Sequence, residues 1–358
     1  MSNKVFLLLV LVLPFAVFGY GYPASFGIGT SLVGFDAVTA STGGVSSLDV
    51  GGSTLMLNPS GLGLLRSARV QTGVGPVLCK ESVETPFGMF NISSIALGSV
   101  GFTAAFPLLD GLGAGFGVVR RSDFSYTGEY YDTIIEGADT VIVFEQQNNS
   151  GSVWDASAGV GTRIMNGLYA GAAVGYLFGS GTLDYYHDTS IDTSYTIVET
   201  WDESALAYRA GLTVTIKRAR IGAAYSSGMD KYPARASFGA VLGDMTAWEP
   251  SIGVDTEVLF PGDSTRFTAR IFGGTLLSGN ELYGRASLFL FSSQGTDARE
   301  GTGLSLGASL KVAAGLDFDA AFSWTSEKRN GDTFGGYTDQ ASVTDTNSGI
   351  TFGMTWKP

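Results

Sequence analysis

The side chains able to do covalent or metal chemistry are few. The chain has one histidine, His187, and one cysteine, Cys79, in 358 residues. A histidine-dependent nucleophile needs a partnered constellation, and a zinc site needs several nitrogen or sulfur ligands. Neither can be assembled here. The alternation around His187 is interrupted, which places it in a solvated outer loop. Cys79 lies far from any lipid-anchor position and reads as a free thiol in a loop or at a strand end. Gly111-Leu112-Gly113-Ala114-Gly115 resembles a phosphate loop only in its glycine count. Its period of two and the absence of a following helix make it a strand with a small-residue inner face. The acidic residues are numerous, but abundance in loops carries no acid–base signal. A net charge of −12 argues against nucleic acid as a partner. It suits acidic external loops facing divalent cations and lipopolysaccharide, or a generic solvated surface. No enzyme, metal or cofactor is expected.

What remains is binding chemistry. Arginine on a lipid-facing strand position near the bilayer midplane costs roughly 2–4 kcal/mol. Arg163, Arg209, Arg220, Arg266, Arg270 and Arg285 are therefore expected to point inward or to sit near an interface. Parity with Arg270 turns Phe272 inward, and parity with Arg285 turns Tyr283, Phe289 and Phe291 inward. Aromatic side chains inside a barrel suit an apolar ligand pocket; packing against an internal plug accounts for them equally well. Tyr126, Tyr130, Tyr131 and Phe144, then Tyr185, Tyr186, Tyr195 and Trp201, fall with many acids in predicted long loops, where they are placed to capture an amphipathic ligand or a protein partner.

The elements that must position these residues are strands. Residues are 44% hydrophobic and only 15% charged, with 51 glycines against 10 prolines, well below the roughly 25% charge of a soluble domain. Leu304, Leu306, Ala308, Leu310 and Val312 share one face, and Ser305, Ser309 and Lys311 share the other. The same alternation holds for Leu316, Phe318, Ala320, Phe322 and Trp324, and for Ile350, Phe352, Met354 and Trp356. Working back from the end, strands are predicted near 347–357, 315–325, 302–313, 281–292, 264–273, 247–260, 234–243, 218–227, 203–216, 168–179, 152–164, 112–121, 95–107 and 67–78. That is about 14 strands, an even number, joined mostly by alternating short and long connections as in bacterial outer-membrane barrels. Long outer loops are expected over 121–151, 180–202, 293–301 and 326–346, with a short link at 261–264. Trp154 and Trp324 at the loop side, and Trp248 and Trp356 at the turn side, fall on apolar faces as two interfacial girdles.

Lys4, the apolar run from Val5 to Phe18 and the small residues Gly19 and Gly21 read as a signal peptide over 1–19. Residues 20–66 do not alternate and are rich in glycine. They end in Leu55-Met56-Leu57-Asn58-Pro59-Ser60-Gly61-Leu62, in which Asn58 is suited to cap a turn and Pro59 to open a short helical one. Residues 67–358 form the barrel.

This order resembles the FadL family of outer-membrane transporters for long-chain fatty acids and aromatic hydrocarbons. The resemblance rests on the leader, the glycine-rich stretch, Asp49, the short apolar run and the motif Asn58, Pro59, Ser60, Gly61 and Leu62 ahead of strands to the end. It implies an all-β transmembrane antiparallel barrel with 20–66 as an N-terminal hatch in the lumen, located in the outer membrane. It implies passive passage of a small hydrophobic ligand, with outer-membrane lipid and lipopolysaccharide around it. Position 60 is serine where that family usually has alanine. The motif also occurs in related PorV-like barrels, which dock secreted or surface proteins, so a surface protein partner is the alternative.

Overall fold

The computed structural model describes residues 30–31, 36–42, 44–45, 53–85, 88–136, 139–189, 194–229, 232–244, 248–260, 265–278, 281–294, 299–330 and 342–357. The leader expected over 1–19, Asp49 and the link at 261–264 lie outside them. The elements in chain order are β1 (Thr30–Ser31), α1 (Ala37–Ser41), α2 (Thr54–Leu57), a 3₁₀ segment (Pro59–Leu64), β2 (Arg69–Thr85), β3 (Gly88–Leu109), β4 (Leu112–Asp123), β5 (Tyr126–Glu136), β6 (Asp139–Met165), β7 (Leu168–Thr189) and β8 (Ser194–Ile216). There follow β9 (Ala219–Ser226), β10 (Ala234–Leu242), β11 (Ser251–Phe260), β12 (Thr265–Ser278), β13 (Leu282–Gln294), β14 (Arg299–Ala313), β15 (Leu316–Asn330) and β16 (Ser342–Trp356).

All the strands pair antiparallel with their neighbours, and β16 returns to pair with β2 from Ser342↔Glu84 to Trp356↔Val70. The result is a closed 14-stranded barrel. Closure gives every wall strand a neighbour on both sides, the condition for a sheet that crosses lipid. Each of the fourteen predicted strands is present. The two-residue turns at one end are set by left-handed residues: Gly111 (φ 77°), Gly167 (φ 80°), Gly315 (φ 74°) and Lys217 (φ 57°).

Alternation separates the two faces sharply. On β13, Leu288 and Leu290 are 58% and 62% exposed on the outside, while Phe289 and Phe291 are 6% exposed on the inside. The same split places Phe238, Leu242, Ile252, Val254, Phe267 and Ile271 outward. No helix among the described residues is long and apolar enough to cross a membrane; the apolar outer surface belongs to strands.

Three expectations are corrected. The described residues of 121–151 and 180–202 are almost all strand, not loop. β6, β7 and β8 run for 27, 22 and 23 residues, far beyond the roughly ten a tilted membrane strand needs, and with β5 they rise as a crest above a rim where β9 and β10 have only 8 and 9. Outside lipid, neither face need be apolar, so the alternation that marks the lower strands is lost. His187 and Cys79 are accordingly inside strands β7 and β2, at 5% and 2% exposure. His187 Nδ1 lies 3.0 Å from Glu145 Oε1, Tyr185 donates to the same oxygen at 2.6 Å, and the Tyr195 ring stacks on the imidazole at 4.8 Å. Burial and the hydrogen bond to Glu145 hold the Tyr185 phenol above its ordinary range, so it stays a donor. Trp248 is not on a strand face. It occupies the β10–β11 connection at φ 60°, its ring stacked on Tyr283 at 6.0 Å and covered by Lys311 at 5.3 Å. Trp154, Trp324 and Trp356 do lie on outward-facing strand positions.

If lipid covers the outer face, a charge placed there is expensive. Leu288→Arg is expected to lower the stability of the protein refolded into vesicles by about 2–4 kcal/mol, measured by urea titration. An unchanged midpoint would contradict a lipid-facing Leu288.

Candidate functional site inside the barrel

The motif residues sit where four strands have no side chains. Asn58 ends α2 and caps the 3₁₀ segment: its Oδ1 accepts from Ser60 N at 3.2 Å, and Pro59 opens the turn. A proline there needs no hydrogen bond from its nitrogen. The segment lies flat on the inner faces of β4, β6, β7 and β8. A Cβ at Gly211 would overlap the Asn58 side-chain oxygen, one at Gly171 or Gly161 would overlap the Pro59 carbonyl, and one at Gly113 the Leu62 carbonyl. A Cβ at Gly159 would stand 2.9 Å from Leu55 Cδ1. These glycines allow backbone to rest on backbone.

Polar bonds then fix the register. Asn58 Nδ2 donates to Thr213 Oγ1 at 3.4 Å, and the Ser60 and Thr213 hydroxyls are 2.7 Å apart. The Ser60 hydroxyl also donates to Asn58 Oδ1 at 2.6 Å. The Met56 carbonyl accepts from two arginines on different strands, Arg121 at 3.1 Å and Arg235 at 2.6 Å. Asp155 holds Arg121 in place at 2.7 Å and also pairs with Arg209. Leu55, Met56, Leu57, Leu62 and Leu65 complete the contact as one buried cluster with Ala105, Val119 and Ala173.

The N-terminal part of the segment reaches the opposite wall. Asp36 caps α1, accepting from Thr39 N at 2.9 Å. Ala37 and Ala40 pack on Ala321 of β15, and the wall is again small: Ser41 faces Gly307, and a Cβ at Gly353 would lie 3.5 Å from Ala37 Cβ. Ser53 N donates to Gln71, which reaches Thr355; Thr355 donates to Asp319, which also accepts from Ser309, itself bonded by Arg285 at 2.7 Å. β1 pairs with β4 at Ser31↔Ser122, beyond Gly101↔Val119, where the β3–β4 ladder stops. Arg120 donates to Leu97 O across this break at 2.7 Å.

The four inward aromatics are placed individually. Phe289 lies over Gly303 and Phe291 over Gly301, each ring flat on a glycine of the neighbouring strand. The two rings are 6.5 Å apart, and the Arg266 guanidinium sits 4.4 Å from the Phe291 ring centre. Phe272 is 2% exposed, covers Gly253, and packs between Val241 and Val45 of the N-terminal segment. Tyr283 is committed to the short-turn rim: its hydroxyl donates to Glu249 O at 2.8 Å and lies 3.0 Å from Ser251 Oγ.

Of the six predicted inward arginines, Arg285 bonds to Ser309 and the other five fall into ion pairs. Arg270 meets Asp255 at 3.0 Å and Glu257 at 3.3 Å, Arg266 meets Glu327 at 3.5 Å, and Arg220 and Arg163 meet Asp244 and Asp110 near the short-turn end. Arg121, Arg235 and Asp155 escaped the sequence reading, as did the bonding role of Ser60. The seat itself left a signal: glycines alternate at 113 and 115, at 159 and 161, and at 171, on strands that prove adjacent.

Gly211→Val is expected to unseat residues 53–65. Their amide hydrogens should exchange faster in detergent solution while those of β7 and β13 remain protected. Ser60→Ala should give a smaller acceleration, the loss of about 1 kcal/mol of hydrogen bonding.

No protein-family model matches the chain, and no curated protein matches it. Solved structures do. A FadL homologue of Pseudomonas aeruginosa superimposes with a TM-score of 0.63 at 12% identity, covering 96% of this chain and 100% of that one. The CymD monoaromatic hydrocarbon channel gives 0.57 at 13% identity over 91% and 98%. A deltaS2 mutant of the TodX monoaromatic hydrocarbon channel gives 0.52 at 11% over 92% and 100%. The chain thus shares the fold of FadL-type barrels along nearly its whole length.

Proposed function

We propose that this chain is an outer-membrane channel for passive entry of small hydrophobic molecules, fatty-acid-like or aromatic, with residues 20–66 as its hatch. The observation that carries the reading is an internal segment seated on a glycine floor beside an inner wall paved with aromatic rings. An aqueous pore would need neither. The solved neighbours, a FadL homologue and two monoaromatic hydrocarbon channels, support the same class of cargo.

Phe289 and Phe291 form the apolar wall above the segment. Packed against Gly303 and Gly301 and 6% exposed, they become ring surface for a ligand when the material covering them gives way, and Arg266 beside Phe291 suits a polar or anionic end. Phe272 connects binding to movement. Its ring is now covered by Val45, so a ligand that takes Val45's place gains that contact only when the segment shifts. Such a difference in affinity between two states is what allows a ligand to move an equilibrium. Tyr283 closes the wall at the rim. The lipopolysaccharide leaflet resists apolar solutes, and a barrel of this kind carries them past it.

Replacing Phe289 and Phe291 together by serine is expected to weaken binding of a dansyl-labelled undecanoic acid at least tenfold, on the order of 1 kcal/mol per ring, with the fold intact by circular dichroism. Fluorescence titration showing unchanged affinity would contradict the pocket.

A further inference from the structure

The crest carries features that the lumen does not explain. β5, β6, β7 and β8 form a four-stranded sheet above the rim. β8 pairs with β9 only from Ile216↔Ala219 to Arg209↔Ser226. Above Tyr208 its outer edge pairs with no strand among the described residues, which leaves about 45 Å of extended chain with open donors and acceptors. Every residue from 194 to 200 is exposed, on both faces of the strand. The sequence there, Tyr195-Thr196-Ile197-Val198-Glu199-Thr200, is rich in β-branched residues that favour pairing. Natural edges are commonly protected by lysine, proline or a covering element; residues 194–207 contain no lysine or proline, and no strand among the described residues covers their outer edge.

Charge identifies the partner. Residues 126–150 and 180–204 hold eleven carboxylates and no lysine or arginine, against a net charge of −12 for the whole chain. Almost the entire charge imbalance of the protein falls within these two stretches of sequence, which supply the crest strands. Glu199, Asp202 and Glu203 lie on the open strand itself. A second copy of the same strand would bring acid against acid, and like charges paired across strands destabilise.

We propose that the outer edge of β8, residues 194–207, is a docking strand for an extended basic segment of another protein, which adds as a fifth strand to the crest. Main-chain hydrogen bonds supply the affinity, and the carboxylates select lysine- or arginine-rich sequences. This surface is separate from the lumen and does not depend on what passes through it.

The test uses the purified full chain in detergent and two fluorescein-labelled twelve-residue peptides of equal charge, one alternating lysine with valine, the other lysine with proline. Proline cannot donate to a ladder. The lysine–valine peptide is expected to bind at least tenfold more tightly than the lysine–proline peptide by anisotropy, and to slow amide exchange over residues 194–207 alone. Glu199→Lys with Asp202→Lys and Glu203→Lys should abolish that binding while leaving dansyl-undecanoic acid binding unchanged. Equal binding of the two peptides would reduce the crest to a diffuse acidic surface and overturn the proposal. So would binding of neither. A dimer in light scattering that the triple variant fails to form would assign the edge to a second copy and overturn it as well.

Discussion

The close approach of one turn to four strands organises the interior. The backbone from Asn58 to Gly63 can lie on the wall only because Gly113, Gly161, Gly171 and Gly211 present no side chain there. Glycine inside a strand weakens it, so so many on adjacent strands would be a defect if nothing covered them. The turn covers them. Its position in turn fixes the Met56 carbonyl where Arg121 and Arg235 can reach it, and those arginines draw the carboxylates Asp155 and Glu257 into the same layer. A small-residue floor, a capped turn and a buried ion-pair layer are therefore one device.

The same economy of glycine recurs on the far wall with a different occupant. There Phe289 and Phe291 rest on Gly303 and Gly301, the ring supplying the packing that the glycine lacks. One wall is covered by residues 53–65, and the other is shared between α1, on Gly307 and Ala321, and the aromatic rings. Phe272, touching Val45, lies where the two coverings meet. The outside is simpler. A continuous apolar surface of alternate residues asks only for a nonpolar solvent, and it ends where β6, β7 and β8 rise into the acidic crest.

Much of this was legible in the sequence. Period two with an apolar face located all fourteen wall strands, because lipid on one side and a filled lumen on the other impose a strict alternation. Arginine parity correctly turned Phe272, Tyr283, Phe289 and Phe291 inward, and Asn58-Pro59 read correctly as a capped turn. The crest was not legible as strands. With water on its faces, Tyr185, His187 and Tyr195 follow no polarity rule, and segments rich in acid and tyrosine look like loops. Trp248 was misplaced because only its backbone, at φ 60°, reveals a turn. Arg121 and Arg235 stood out no more than other arginines. Their importance comes from converging on one carbonyl, a relation between residues 121 and 235 that no local pattern contains.

The claim most open to direct measurement is that passage requires the seated turn to leave its floor. Ser60 Oγ and Thr213 Oγ1 are 2.7 Å apart, so cysteines at these two positions face each other for a cross-link. In a Cys79→Ser background, Ser60→Cys with Thr213→Cys should take up dansyl-undecanoic acid into vesicles when reduced and stop when oxidised. Uptake at the same rate in both states would contradict the account, and would point to the break in the β3–β4 ladder as the way through.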